Sequence, residues 1–330
     1  MSTIKEIITK KRMMLFSGTA HPDLSQEIAT QLGVQLCGAK LSRFASGEIY
    51  FRAEESVRGA DVFVIQTHAD PVNESIMENI LMIDAMKRAS AKRITAVIPY
   101  YGYSRQDHKA LAREPISAKL LADILTAAGA NRVVSVDLHS GQIQGYFDYP
   151  FDHLTALPLL ADYLRKDLGL EGDGLVVVAP DAGRTKVAER LRKYLDAEMA
   201  YIYKRRSHHE AHTIEEMVVE GDVRGQTCLL IDDMIDTAGT MARGARALSE
   251  EGATAVFAAA THPVLSGKGV QNLEESAIKE VVVTSTLPVP DEKRIDKLTI
   301  LSIAPIVASA IQAVFEDESV SEIFHGENQP

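Results

Sequence analysis

Apolar and polar positions follow two alternating rhythms along this chain. Short unbroken apolar runs, MMLFSG, VFVIQT, TAVIPY and RVVSVDLHS, punctuate the first half, separated by amphipathic stretches such as NESIMENILMIDAMKRAS. Unbroken runs suit strands covered on both faces, and the stretches between them carry a helical period. The pattern therefore predicts strand and helix in turn around a parallel sheet. The second half repeats this with LVVVAPDAG, MAYIYK, CLLIDD, TAVFAAATH and EVVVTS. The expected fold class is α/β, with two tandem parallel-sheet domains.

The pattern breaks at FDYPFDHLTALP, where Pro150 and Pro158 precede the helix-like LLADYLRKDL. That break sets the expected boundary, with residues 1–155 forming the first domain and 156–304 the second. The closing IAPIVASAIQAVFEDE reads as an amphipathic helix, and residues 305–330 are expected to pack back on the first domain.

Composition narrows the classes. At 330 residues and 46% hydrophobic content, the chain can bury the cores of two ordinary domains. A net charge of -11 argues against nonspecific nucleic-acid binding, although it leaves room for a basic pocket for small anions. Cys37 and Cys228 lie far apart, and Cys228 falls within an apolar run, so neither a disulfide framework nor a metal knuckle is indicated. A reducing cytosol fits. The opening MSTIKEIITKKRMM has no apolar core of signal-peptide length, and no later stretch approaches a membrane span. The expectation is a soluble cytoplasmic protein, with neither membrane nor nucleic acid among its partners.

In open parallel sheets ligands collect beyond the carboxyl ends of the strands, so the residues just after each apolar run carry the candidate chemistry. LLIDDMIDTAGT, residues 229–240, reads as a strand, a tight loop and a helix start. Thr237, Ala238, Gly239 and Thr240 are small, and a helix N-terminus favours an anion such as phosphate. Asp232, Asp233 and Asp236, read as members of the same loop, would repel a bare phosphate. They suit a ligand that offers hydroxyls or brings a cation. The loop asks for a phosphorylated sugar; helix capping alone is the competing reading, less apt for three acids beside TAGT.

Other runs end in further candidates. PDAGR, with Asp181 and Arg184, suits a second anion and its metal, and reads equally as a capped helix. Asp137 and His139 suit a metal or phosphate, against the commoner structural histidine. YGYSRQDHKALAREP carries Arg105, His108, Lys109 and Arg113 in a loop longer than usual. Arg105 and Gln106 suit a nucleotide clamp, against a merely solvated face. In KRRSHHEAHTIEEM, Lys204 and Arg206 suit a mobile lid over phosphates, against a hydrated hairpin tip. HHEAH is not the zinc-protease signature, because His209 and His212 stand one residue too close.

With these residues in view, the chain resembles the ribose-phosphate pyrophosphokinase family. IDDMIDTAGT is similar to that family's ribose-phosphate loop, itself a variant of the type I phosphoribosyltransferase signature. RFASGEIYF, EESVRG, YSRQD, PISAKL, VDLHSGQIQGYFD, PDAG, KRR, GDVRG and ESVSEIF resemble further family segments in the same order. The resemblance covers nearly the whole chain and implies type I phosphoribosyltransferase-like architecture. It also implies transfer of the β,γ-diphosphoryl group of ATP to the anomeric hydroxyl of ribose 5-phosphate. The products are phosphoribosyl pyrophosphate and AMP.

Residue roles follow from the same resemblance. Asp236, Thr237, Ala238, Gly239 and Thr240 are implied to bind the 5-phosphate, with Arg206 also on the sugar phosphate, while Asp232 and Asp233 face the ribose hydroxyls and associated magnesium. Phe44, Ser46, Gly47 and Glu48 match the adenine-binding stretch, usually supplied by a neighbouring subunit, and Arg105 and Gln106 match other nucleotide contacts. His139 and Asp181 match magnesium positions; Lys204 and Arg206 match the catalytic flexible loop. Mg2+ is the implied cofactor, and the implied assembly is a homo-oligomer, a hexamer. Inorganic phosphate as activator and ADP as inhibitor would bind where Ser56, Arg58, Lys109, Arg113, Ser319, Ser321 and Phe324 match. Four positions depart from the family pattern: Ser46, Leu111, Gly141 and Arg184 stand where Asp or Asn, Lys, Ser and Gly are common.

Two other functions compete. A plain phosphoribosyltransferase would share the acidic loop but lack the RQD loop and VDLHSGQIQG. A noncatalytic regulatory partner would be free to lose Lys204, Arg206, His139 or the acidic loop, and all are retained.

Overall fold

The computed structural model describes residues 11–206 and 215–324. The first unit runs β1 (Met13–Ser17), α1 (Pro22–Gln31), β2 (Ala39–Arg43), β3 (Ile49–Ala53), β4 (Asp61–Ile65), α2 (Val72–Arg88), β5 (Arg93–Ile98), α3 (Ser117–Ala128), β6 (Arg132–Val136) and β7 (Phe151–Leu154). Its five-stranded sheet has the order β1-β4-β5-β6-β7, every pair parallel, and β2 and β3 form a separate hairpin. All five residues of β4 are buried, as an apolar run covered on both faces requires. Residues of α2 and α3 share a core with one face of the sheet, while α1 packs on the other.

The second unit continues with α4 (Leu157–Lys166), β8 (Leu175–Ala179), α5 (Thr185–Leu195), β9 (Glu198–Arg206), β10 (Glu215–Glu220), β11 (Thr227–Ile235), α6 (Gly239–Glu250), β12 (Ala255–Pro263), α7 (Gly269–Glu274), β13 (Ile278–Thr284), β14 (Leu298–Leu301) and α8 (Ala304–Glu316). Its seven strands lie in the order β10-β9-β8-β11-β12-β13-β14, parallel except for β10 against β9. Residues of α6 and α7 cover one face, those of α4 and α5 the other. Helix α8 leaves this sheet and joins the core of the first unit, where Val307, Ala310 and Ile311 are buried with Leu24 and Ile28 of α1. Just after it, Asp317 ion-pairs with Arg93 at 2.6 Å and with Lys11. Among the described residues no helix is long and apolar enough to cross a membrane.

Two segments differ from the pattern read along the chain. FDYPFDHLTALP is not wholly irregular, because Phe151–Leu154 is strand β7. Pro150 is tolerated because β7 lies at the sheet edge, and its carbonyl still accepts from Val133 N at 3.1 Å. The acidic segment differs as well. Asp232 and Asp233 belong to β11 rather than to the loop after it, and only Asp236 lies beyond the strand. Strand β8 stops pairing at Val178↔Leu230, but β12 continues alongside β11 to Ile235↔Pro263. A long neighbour on one side holds the acids in extended backbone on an open ledge.

Candidate active site

The two sheets point their carboxyl ends at each other. Thr67 Oγ1, beyond β4, donates to Thr286 O beyond β13 at 2.7 Å. Tyr100, beyond β5, sets its ring edge-on to His262 of β12 at 5.0 Å. Beyond β6, Asp137 accepts from Thr261 Oγ1 at 2.6 Å, and its carbonyl lies 3.0 Å from His262 Nε2. A small apolar cluster of Ala69, Tyr100, Met234 and Leu287 fills the junction. Two polar pairs complete it: His139 Nδ1 with Asp233 Oδ2 at 2.7 Å, and Arg105 Nη1 with Asp236 Oδ2 at 2.7 Å.

Around Asp233 the charges form one cluster. Arg184 Nε lies 3.0 Å from Asp232 Oδ1, and its Nη2 lies 3.4 Å from Asp233 Oδ1 and 3.0 Å from His139 Nδ1. An ionised carboxylate only accepts, so His139 Nδ1–H donates to Asp233 and the ring's lone pair resides on Nε2. Burial opposes charge on Asp233, but the His139 hydrogen bond and Arg184 outweigh it and hold this carboxyl below the usual range. Burial and the adjoining Asp233 instead push Asp232 up. The pair holds one negative charge readily and a second less so. The Asp233 side chain is 5% exposed and that of Asp232 is 19%, so Asp232 is the acid that meets solvent.

The phosphate-loop candidates stand next to this cluster. Ala238 takes the left-handed conformation, φ 57°, and α6 begins at Gly239. Non-glycine backbone persists there only when its surroundings hold it. Asn272 Nδ2 donates to Thr237 O at 2.8 Å, and Ser266 Oγ donates to Asp236 Oδ1. A Cβ on Gly269 would sit 2.4 Å from Asp236 O, so α7 presses directly on the loop. Burial opposes charge on Asp236 too, yet its bonds to Ser266 and Arg105 pull the carboxyl below its ordinary value. Ser266, Gly269 and Asn272 were missed in the sequence; the one signal was the small-residue run SGKG after an apolar strand.

Remaining candidates occupy several places. Asp181 is exposed, and its Oδ1 accepts from Gly183 N at 2.8 Å, capping the turn ahead of α5. Gln106 turns its side-chain carbonyl toward Ser117 Oγ at 2.6 Å, while its backbone carbonyl accepts from Ala118 N. Asp107, not singled out in the sequence, is buried and ties this loop to the next: it accepts from Gln142 Nε2 at 2.7 Å. Phe44, 56% exposed, stands at the β2–β3 tip, where Ser46 Oγ donates to Glu48 Oε2 at 2.7 Å and Gly47 takes a positive φ. Lys204 and Arg206 are backbone members of β9, paired with Met217 and Glu215 of β10; their side chains lie outside the described part.

Ser56 and Arg58 line a hollow of about 540 Å³ with Arg52 and Arg88. Lys109 and Arg113 belong to the loop before α3, while Ser319, Ser321 and Phe324 follow α8, with Phe324 buried in the first unit's core. Among the described residues no hydrogen bond or ion pair joins these three groups.

Among the described residues no group of three or more His, Cys, Asp or Glu is arranged to hold a metal ion. Magnesium needs no such cage, because it takes one or two protein oxygens and completes its shell with water and substrate phosphates. Asp232, with a carboxylate that is 19% exposed beside Asp233, fits that mode, while Asp181 is exposed at the turn before α5 and, among the described residues, no hydrogen bond or ion pair joins it to Asp232 or His139.

This is a tandem pair of type I phosphoribosyltransferase-like α/β units whose strand ends meet at one junction, where Arg105 and His139 of the first unit pair with Asp236 and Asp233 of the second. Residues 13–129 match the model of the N-terminal domain of ribose phosphate pyrophosphokinase, and residues 194–325 match the phosphoribosyl synthetase-associated domain. A ribose-phosphate pyrophosphokinase of Streptomyces avermitilis is 52% identical over 96% of this chain and 97% of its own length. One from Corynebacterium glutamicum is 50% identical, again over 96% of this chain and 97% of its own length. The crystal structure of phosphoribosylpyrophosphate synthetase from Mycobacterium smegmatis superposes with a TM-score of 0.88 at 51% identity, covering 93% of this chain and 100% of that one. The chain belongs to the ribose-phosphate pyrophosphokinase family.

Proposed function

We propose that this chain is a ribose-phosphate diphosphokinase serving nucleotide biosynthesis. It transfers the β,γ-diphosphoryl group of ATP to the anomeric hydroxyl of ribose 5-phosphate, giving phosphoribosyl pyrophosphate and AMP. The observation that carries this reading is the Arg105–Asp236 pair, which joins the first unit's nucleotide-side loop to the second unit's sugar-phosphate loop. Donor and acceptor loops in contact are what in-line transfer needs. The anomeric oxygen bonds to the β-phosphorus, the bond from that phosphorus to the AMP oxygen breaks, and the hydroxyl proton passes to solvent.

Each group then has a role. Asp236 to Thr240 hold the 5-phosphate at the start of α6, where backbone N–H groups lack helical partners. Asp232 accepts from the ribose hydroxyls, while Asp233 orients His139. His139, Asp181 and Asp232 would hold Mg2+, whose chemistry when bound is to neutralise charge across the transferring phosphates. Lys204 and Arg206 bring positive charge to the same group, and Arg105, Gln106 and Phe44 to Glu48 bind the nucleotide. The hairpin's exposed tip supports its being supplied to a second copy, in a homohexamer located in the cytoplasm. Ser56, Arg58, Lys109, Arg113, Ser319, Ser321 and Phe324 form the regulatory site for phosphate and ADP. The domains divide at 155/156, with 305–330 returning to the first.

A quench assay with ATP, ribose 5-phosphate and Mg2+, omitting each in turn, tests the reaction. The expected result is AMP only when all three are present. ADP in its place means single phosphoryl transfer, and nucleobase-dependent turnover without ATP means a phosphoribosyltransferase; either overturns the reading.

A further inference from the structure

Arg184 belongs to the turn before α5, yet its side chain reaches the acids of β11. It is 8% exposed and is the one arginine among the described residues buried to that degree. A guanidinium leaves water only when its surroundings return the lost charge interactions. Here one group engages both adjoining carboxylates, Asp232 through Nε at 3.0 Å and Asp233 through Nη2 at 3.4 Å. The same Nη2 lies 3.0 Å from His139 Nδ1 and 3.5 Å from His139 O. Since Nδ1–H already donates to Asp233, the contact with Nδ1 sets donor against donor and holds nothing. The guanidinium is therefore held by the two carboxylates, close to Asp232 and more distant from Asp233, and stands where a cation drawn to that pair would otherwise meet it.

We propose that Arg184 is a positioning residue that acts as the resident counter-charge of the Asp232–Asp233 pair and sets how strongly the ribose side of the site takes up a divalent cation. The inference rests on the assignment of these acids to sugar and cation made above. A positive charge already ion-paired with both carboxylates weakens their attraction for an incoming cation and holds their geometry while none is bound.

The test measures Mn2+ binding to the full chain without substrates, by electron paramagnetic resonance of the free ion at alkaline pH. Arg184→Gln, which keeps most of the volume but loses the charge, is expected to bind Mn2+ at least about fivefold more tightly than the wild type. Arg184→Lys should stay near the wild type. Arg184→Gly should also tighten, and added guanidinium should return its affinity toward the wild-type value, an effect that lost packing would not produce. Unchanged or weaker Mn2+ binding in folded Arg184→Gln and Arg184→Gly overturns the proposal. Asp232→Asn in the same series separates the two levels. If it weakens Mn2+ binding while the Arg184 variants do not differ from wild type, only the role of Arg184 fails. If it leaves binding unchanged, the assignment of cation to these acids fails as well.

Discussion

The ligand-facing edges of the two sheets are built alike and charged differently. Beyond β5 and β6 the first unit presents Arg105 and His139; at the end of β11 the second presents Asp232, Asp233 and Asp236. Neither edge is balanced alone. Arg105 meets its carboxylate across the junction, and Asp233 has a partner from each side, His139 from the first unit and Arg184 from the second. A partly buried acid without such partners is costly. The difference teaches that the site belongs to the junction, not to either α/β unit.

Breaking the most buried pair across the junction should have the largest effect. Asp233→Asn keeps an oxygen that can accept from His139 Nδ1–H but removes the negative charge that faces both His139 and Arg184, so kcat/KM for ribose 5-phosphate should fall about 100-fold. Steady-state kinetics check it, and activity within twofold of the wild type would mean the acid is only structural. Removing the joint between the units should cost stability instead. Ile311→Ala opens a cavity where α8 meets the first unit's core and should lower unfolding free energy by about 2–5 kcal/mol, read by urea denaturation.

A pH titration sharpens the comparison from the first unit's side. His68 is fully buried behind the RQD loop, its Nδ1 accepting from Gly102 N at 3.0 Å, and burial pushes its pKa down to about 3. The unfolded chain takes up that proton near 6.5, the folded chain only near 3. The contribution of neutral His68 is thus complete above pH 6.5 and is lost as pH falls from there toward 3. Stability should drop by up to about 1.4 kcal/mol per pH unit in that window from this group. His68→Gln should flatten the slope by one proton; an unaltered slope would rule out this assignment. The smallest expected effect is the Arg105–Asp236 coupling. Both groups are partly exposed, so a double-mutant cycle in denaturant should return about 0.5–1 kcal/mol.

Much of this was legible in the chain because strand burial and helix starts are local matters. The apolar runs LVVVA and CLLI became β8 and the first half of β11, and TAGT led into α6. The end of β11 was not legible, because whether DDMI is strand or loop depends on how far β12 reaches beside it. Strand β7 was hidden by Pro150, which a central strand would refuse and an edge strand accepts. Gln106 shows a third kind of gap: its residue type did not announce the local partner it has, Ser117 Oγ, which donates to its side-chain carbonyl at the start of α3.

By itself, then, the sequence determined an α/β chain with two sheets, a small-residue loop at a helix start and the residue types that crowd around it. These follow from periodicity and from chemistry written in neighbouring positions. Only the tertiary structure decided which charges answer one another. Arg105 and Asp236 are 131 residues apart, and His139 and Asp233 are 94 apart. No local pattern specifies such pairs, because they arise when the two sheets turn their carboxyl ends together and poorly solvated acids must find hydrogen-bond donors on the other unit.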